Sequence, residues 1–505
     1  MNPLSVPPEI WLEIFKDIDP TKLSAVVETC RTFAAVARPL QFAEFVFRPH
    51  GLEDGKLPRE PEKLCVLTSP VEERNAMHRL DFWTSEAVAP LVRSCVVMPW
   101  LAEQKPAGYG FVVRPNDLSQ LLAAFIHRLH RLSRIRSLYL HEILLTTRLV
   151  ASIYHNLPRL EHLSIRVWKG QMPVSFVRPD PDAESGPRIA KFSILTSAFG
   201  PGSRNTQVLA PWLPFLSPTH LQELKLDSRA YDWRTENTPV LSSVKTLYLD
   251  IGGTDVENLR ALGKKIPSVR NLYIFNSRMS EAMAAACEPL LRHATNLRLP
   301  YHALQWCLPQ AKKLLRLQIT STPTAAQLIP QLHNVQFSSI TTFLCDMSAK
   351  PRVESDPPSV ADFATILGCF PQLRHLHVSL GILGKDEDDA PASVTVLDAL
   401  ISAIFPQSIT TIVMSVYQRP RPLEPVPLPF ELRGLLPDTP VIRDLIVQQN
   451  PSLRTLWVQA RSILIAWRLG VVRLMGLLRT RYALKIRSSC TTQTSMSEFW
   501  DARED

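Results

Sequence analysis

The chain has 505 residues and a formal net charge of +9, and 45% of its residues are hydrophobic, which is enough for a buried core. Its 43 prolines exceed the usual share of about 5% and argue against long helices. No phosphate-binding loop, dinucleotide fingerprint, zinc-protease motif or nucleophile elbow occurs, so no enzyme activity and no cofactor are predicted. The sequence shows no signal-peptide pattern and no apolar run long enough to cross a bilayer, which predicts the cytoplasm or nucleus.

Residues 4–40 predict three short helices. Pro7, Pro8 and Glu9 suit the start of the first, because proline needs no amide donor there and the helix dipole favours negative charge. Apolar residues then recur at helical spacing over residues 10–18, 23–30 and 33–40. Helices of about ten residues are marginal alone, so their apolar faces must pack on one another or on a partner.

This segment resembles the F-box. The match is an ordered string: Val6-Pro7-Pro8-Glu9-Ile10, Ile14-Phe15, Leu23 and Cys30-Arg31-Thr32-Phe33. It departs from the family where Val6 replaces the usual leucine and Lys22 stands where an acidic residue often precedes Leu23. The resemblance implies an F-box at residues 1–40 that binds a Skp-type adaptor through Pro7, Glu9, Ile10, Ile14, Phe15, Leu23, Val27, Cys30 and Phe33. The alternative is a plain N-terminal helical cap.

An apolar motif, h-x-x-h-x-h, recurs along residues 41–460. Its copies run from Ile135-Leu138-Leu140 to Leu453-Leu456-Val458, and Phe42-Phe45-Phe47 and Val92-Cys95-Val97 are earlier candidates. Two apolar residues two apart predict a short strand with one buried face. Helical segments between copies are predicted at residues 117–132, 255–265, 280–293, 324–332, 359–370 and 396–405.

Many steps between these copies fall within the roughly 20–29 residues typical of leucine-rich repeats. The predicted fold class is therefore α/β: a three-helix F-box followed by an irregular leucine-rich-repeat-like solenoid with a parallel sheet. The asparagine or cysteine that usually follows the repeat motif is absent, which predicts irregular turns. An ordinary α/β domain with alternating strands and helices is the alternative.

Signals for metal chemistry are weak. The eight cysteines lack metal-ligand spacing and are predicted to be free, buried thiols. His375 and His377 lie two apart on a predicted strand, but no further ligand is near in sequence, so no metal site is predicted. The acidic run at residues 386–389 lacks the spaced ligands of a calcium loop and is predicted to be a solvated tip.

Basic residues are concentrated near the C-terminus. Residues 461–487 hold seven Arg or Lys and no acidic residue, but these charges do not share one helical face. That distribution disfavours a membrane surface and a nucleic-acid interface. The prediction is a C-terminal basic capping helix at 461–487, with Trp467, Leu469, Val472 and Leu474 packed, followed by a polar tail at 488–505.

The two resemblances together imply the substrate-recognition subunit of a cullin–RING ubiquitin ligase. The F-box would bind the Skp-type adaptor and, through it, the cullin, while the solenoid would hold a protein substrate. The chain itself would do no bond chemistry, and neither nucleic acid nor membrane is an expected partner. The alternative is a non-enzymatic leucine-rich-repeat scaffold not attached to a ubiquitin ligase. A third interpretation is an enzyme that uses the acidic loop or the histidines.

The predicted substrate site lies on the strands. Residues that flank the second apolar position of each motif point away from the core, towards what would be the concave surface of a curved solenoid. One predicted column is Lys225, Tyr248, Tyr273, Arg298 and Gln318, and the column beside it is Glu223, Thr246, Asn271, Asn296 and Arg316. Tyrosine and arginine are enriched in binding hot spots. The alternative is that the tyrosines only pack on one another.

Overall fold

The chain folds into two compact units, unit 1 formed by Met1–Ala294 with Pro309–Ala311, and unit 2 by Thr295–Leu308 with Lys312–Asp505. The predicted solenoid is thus divided between two units. In the computed structural model the described residues are 6–54, 63–66, 70–99, 112–113, 120–143, 145–167, 186–196, 209–227, 231–235, 238–252, 254–275, 279–332, 336–348, 360–382, 405–418, 448, 450–460 and 463–468.

Unit 1 begins with three helices, as the apolar periodicity predicts: α1 (Pro8–Lys16), α2 (Leu23–Val27) and α3 (Arg31–Gln41). Helix α3 starts after Cys30, whose Sγ accepts a hydrogen bond from the backbone N–H of Phe33 at 3.5 Å. The helices share one small core. Phe15, Leu23 and Ala37 are buried there, packed against Trp11, Ile18, Val26, Val27, Phe33, Val36 and Leu40.

The strands of unit 1 follow in chain order: β1 (Glu44–Phe47), β2 (Gly51–Asp54), β3 (Lys63–Val66), β4 (Ser94–Val97), β5 (Val112–Val113), β6 (Ser137–His141), β7 (His162–Val167), β8 (Lys191–Thr196), β9 (Glu223–Asp227), β10 (Thr246–Asp250) and β11 (Asn271–Phe275). A parallel sheet takes them in the order β1-β4-β6-β7-β8-β9-β10-β11, which is typical of an α/β repeat. A small antiparallel sheet, β2-β3-β5, was not predicted by the repeat pattern.

The helices of unit 1 lie between these strands or after the last of them: α4 (Pro70–Trp83), α5 (Gln120–Arg128), α6 (Thr147–Asn156), α7 (Val256–Lys265), and, after β11, α8 (Glu281–Ala286) and α9 (Glu288–Leu291). Side-chain oxygens of Thr146, Asp255 and Ser280 cap α6, α7 and α8. The turns are irregular, as predicted: between β8 and β9 the described connection holds a 3-10 helix, Ala210–Phe215.

Unit 2 has the parallel strands β12 (Asn296–Leu299), β13 (Arg316–Ile319), β14 (Thr342–Ser348), β15 (His375–Ile382), β16 (Thr411–Gln418) and β17 (Thr455–Ala460), each paired with the next. Its helices are α10 (Leu304–Cys307), α11 (Ala325–Leu332) and α12 (Val360–Gly368). The motif copies therefore fall on strands in both units. The predicted helices coincide with α5, α7, α8 with α9, α11 and α12, while residues 396–404 lie outside the described part.

A backbone ladder joins successive repeats just before their strands. In unit 1 the carbonyl of Arg93 accepts hydrogen bonds from the N–H groups of Arg136 (2.7 Å) and Ser137 (3.1 Å). The carbonyl of Arg136 in turn accepts two from Glu161 and His162, both at 2.8 Å. This ladder pairs the backbone groups that lead into each strand and so joins one repeat to the next.

The C-terminal basic segment differs from its prediction. Residues Ile463–Arg468 form β18, which pairs antiparallel with β17, so the predicted helix over 461–487 is wrong in this part. Isoleucine and tryptophan suit a strand, and β17 offers unpaired backbone groups that a helix could not satisfy. Residues 469–505, which include the predicted packing positions Leu469, Val472 and Leu474 and the polar tail, lie outside the described residues.

Six cysteines of the described part are free thiols. Cys95, Cys287, Cys307 and Cys345 are buried, as predicted, whereas Cys30 and Cys369 are only half-buried, which corrects the prediction for these two. Burial raises the pKa of the Cys287 thiol to about 12, so that thiol stays protonated and behaves as a small apolar side chain.

One buried polar side chain joins a loop to helix α7 in unit 1. Asn258 accepts a hydrogen bond from the N–H of Trp233 at 2.7 Å and donates one to the carbonyl of Tyr231 at 2.9 Å. Replacing Asn258 by leucine leaves both backbone groups without a hydrogen-bond partner. We therefore expect a loss of roughly 2–5 kcal/mol in the free energy of unfolding. Urea denaturation measures it. The exposed Arg260→Leu on the same helix serves as the control, and an equal loss in both variants would contradict the role of Asn258.

A buried histidine predicts acid sensitivity. His50 is 2% exposed, and burial lowers its pKa from 6.5 to about 4, partly opposed by a hydrogen bond to the Glu142 backbone. Between these two pH values the unfolded chain binds a proton that the folded chain does not, so stability falls as the pH falls through that window. Comparing pH-dependent unfolding of the wild type with His50→Leu should show a flatter curve for the variant. Parallel curves would refute this, and His293→Leu, at an exposed site, is the control.

Candidate functional site

Three predicted site residues lie side by side on the outward face of the unit 1 sheet. The strand register places Lys225 opposite Tyr248, and Tyr248 opposite Tyr273. The two tyrosine rings stack with centroids 4.3 Å apart and an interplanar angle of 7°. The Lys225 Nζ lies 5.8 Å from the Tyr248 ring centre, within the range of a cation–π interaction. All three side chains are half-buried.

The neighbouring column in unit 1 is polar. Glu223, Thr246 and Asn271 stand opposite one another in the register of β9, β10 and β11. Asn271 Nδ2 donates to Thr246 Oγ1 at 3.0 Å, and the Glu223 carboxylate lies 3.6 Å from Lys191 Nζ. The surface therefore combines an aromatic strip with a row of hydrogen-bonding groups, which suits a protein ligand with mixed chemistry.

The sequence pattern missed Phe275. This residue lies two positions after Tyr273, so it shares the same face of β11. Its ring lies parallel to that of Tyr248, at 6.3 Å and 8°. Extending each predicted column by two residues along its strand would have included Phe275. The aromatic strip is therefore Tyr248, Tyr273 and Phe275.

The remaining predicted residues lie in unit 2. Arg298 stands opposite Gln318, and Asn296 opposite Arg316, on β12 and β13. The four side chains are half-buried. Within the part of the chain that the structure describes, the Nε of Arg298 is buried and has no hydrogen-bond partner.

The predicted adaptor-binding residues separate into two groups on the N-terminal helices. Phe15 and Leu23 are buried, and Val27, Cys30 and Phe33 are half-buried. Pro7, Glu9, Ile10 and Ile14 are exposed, with Ile10 50% and Ile14 47% accessible. Ile10 and Ile14 lie one turn apart on α1, so they form an apolar pair on the surface.

The sequence also predicts no metal site, and the histidines and acidic side chains of the described residues are the groups concerned. No group of three or more His, Cys, Asp or Glu side chains is placed to hold a metal ion there. Burial, followed by the positive charges of Arg374 and Arg316, lowers the pKa of His375. Burial also lowers the pKa of His377, whose Nε2 lies 3.3 Å from Ser379 Oγ. No described helix has the length and apolar character needed to cross a membrane.

Comparison with known proteins does not assign this chain to a family. No protein-family profile matches the chain, and no curated protein matches it. One solved structure that resembles it is a protein of Bacteroides fragilis from a structural genomics consortium. The two are 12% identical, with a TM-score of 0.33, over 55% of this chain and 72% of that one.

Proposed function

We propose that this chain is the substrate-recognition subunit of a cullin–RING ubiquitin ligase. Its N-terminal segment resembles the F-box and supplies the contact with a Skp-type adaptor. The repeats supply a surface for a protein substrate. The chain raises the local concentration of substrate near the ubiquitin-conjugating enzyme and performs no bond chemistry itself.

The observation that carries the proposal is that helix α1 has one apolar face packed in the helical core and a second apolar pair exposed. Trp11 and Phe15 face the shared helical core, with their ring centroids 4.7 and 5.3 Å from that of Phe33. Ile10 and Ile14 remain exposed on the same helix. Exposed isoleucines one turn apart can fit a hydrophobic groove on a partner protein, since apolar residues at positions i and i+4 typically anchor a helix in such a groove.

The predicted substrate residues on the strands support the second half of the proposal, the contact with a protein substrate. Tyr248 and Tyr273 present large, rigid side chains with polar tips, and Arg298 is a half-buried arginine on β12. These residue types dominate protein-binding hot spots. The proposed substrate contacts are Lys225, Tyr248 and Tyr273 on unit 1, and Arg298 and Gln318 on unit 2.

Affinity purification of the full chain tests this function. The expected result is co-purification of a Skp-type adaptor together with a cullin. Recovery of other proteins without adaptor or cullin would contradict the ligase assignment and favour the scaffold that is not attached to a ligase. A direct binding assay with a recombinant Skp-type adaptor gives the same answer without a cell extract.

A further inference from the structure

Four arginines lie together at the edge of unit 1 where the strands begin: Arg93, Arg134, Arg136 and Arg159, called here the arginine edge. Arg134 and Arg159 occupy the same position in the turns before β6 and β7. In these turns the Ile135 N–H donates to the Leu132 carbonyl, and the Leu160 N–H donates to the Leu157 carbonyl, each at 3.1 Å. The repeat itself therefore places these two arginines side by side.

The backbone ladder fixes the spacing of the other two. Because the Arg136 N–H donates to the Arg93 carbonyl, these residues stand one strand apart, a step of about 4.8 Å. The Arg93 guanidinium is also held in place, since its Nη1 donates to the carbonyls of Pro90 (2.7 Å) and Val92 (3.2 Å). The arginine edge is thus built on hydrogen-bonded turns that lead into the strands.

The positive charge of this edge is poorly neutralised. Glu161 lies 3.9 Å from Arg136, in a pair that is largely exposed to water and therefore weak. In the described residues no ion pair involves Arg134 or Arg159. Burial lowers the pKa of Arg93, and the nearby positive charges of Arg134, Arg136 and Arg159 lower it further. A ligand that brings negative charge would offset these positive charges.

We propose that the arginine edge binds an acidic segment of a partner protein, through charge-assisted hydrogen bonds from the guanidinium groups to aspartate and glutamate carboxylates. The planar guanidinium matches a carboxylate with two parallel hydrogen bonds. Nucleic acid fits less well, because the arginine edge includes no aromatic residue on which a base could stack. A membrane surface fits less well, because the cluster has no apolar side chain to insert.

The arginine edge shares no residue with α1 or with the predicted substrate columns, and the inference does not rest on the proposed ligase function. Its test uses the full chain and a fluorescein-labelled oligoglutamate peptide, followed by fluorescence anisotropy over a range of salt concentrations. The variant is Arg134→Glu with Arg159→Glu. The matched control is Lys312→Glu with Lys313→Glu, at exposed positions in unit 2 with the same change in net charge.

We expect the peptide to bind the wild type and the lysine control, and the arginine variant to lose roughly tenfold or more in affinity, with a weaker salt dependence. The melting temperature of the arginine variant should hold or rise, because the substitution removes repulsion. Absence of peptide binding to the wild type, or an equal loss in both variants, would overturn the proposal. So would tighter binding of single-stranded DNA or anionic phospholipid vesicles with the same loss on Arg134 and Arg159 substitution.

Discussion

Replacing Ile10 and Ile14 together by serine is expected to abolish binding of a Skp-type adaptor while leaving the fold intact. Both side chains are about half exposed, so the free chain loses little apolar burial when they are removed. In a complex each would be an apolar anchor, and loss of two anchors weakens binding by about 100-fold or more. Isothermal titration calorimetry with a recombinant adaptor, beside thermal unfolding of the variant, measures both quantities.

The control is Val71→Ser with Leu315→Ser, which removes two other exposed apolar side chains, 58% and 48% accessible. It should leave adaptor affinity unchanged. Undiminished adaptor binding by the Ile10 and Ile14 variant, with the chain still folded, would contradict the assignment of α1 as the contact helix.

Phe15 must be tested separately, because its role differs from that of Ile14. Phe15 is 4% exposed and belongs to the core that α1, α2 and α3 share. Truncation of a buried phenylalanine to alanine costs about 3–5 kcal/mol. A combined Ile14 and Phe15 replacement would therefore mix unfolding of the helices with loss of contact, whereas the Ile10 and Ile14 pair isolates the contact.

The apolar pattern was sufficient to predict the strands because each repeat needs the same burial. In unit 1 the paired positions of the motif, such as Leu247 and Leu249, are fully buried, and every such pair lies on a parallel strand. Asp255 and Ser280 were also readable as helix starts, because their side chains accept hydrogen bonds from the first free N–H groups. Local chemistry and burial agree at these positions.

The elements that the sequence analysis missed depend on strand pairing that the repeat motif does not encode. Residues 463–468 were predicted as part of a basic helix, yet they form a strand because they pair with β17, the strand just before them in the chain. The small sheet of β2, β3 and β5 lies outside the repeat motif, and β5 pairs with β3 across residues 67–111, so no local period predicts it. The unmet Nε of Arg298 likewise follows from burial by neighbours rather than from its own repeat.

Changing Tyr248, Tyr273 and Arg298 together to alanine is expected to abolish capture of the protein substrate with little change in melting temperature. The rings are half-buried and their stacking contributes about 0.5–1.5 kcal/mol beyond burial, a small part of the stability of either unit. The substrate is the protein that co-purifies with the wild-type chain and is then expressed alone, so that its affinity for each variant can be measured by biolayer interferometry.

Two further variants separate binding from packing. Tyr248→Phe with Tyr273→Phe keeps the stack of rings but removes both hydroxyl groups, so a loss of substrate affinity in this variant assigns a contact to the hydroxyls. Tyr139→Ala removes a tyrosine from the same face at β6, outside the aromatic strip, and should leave capture unchanged. Undiminished capture of the substrate by the triple variant would show that these three residues are not the substrate site. A large fall in its melting temperature would show instead that the tyrosines serve the packing of the sheet, since face-to-face neighbours on adjacent strands stabilise a sheet without any ligand.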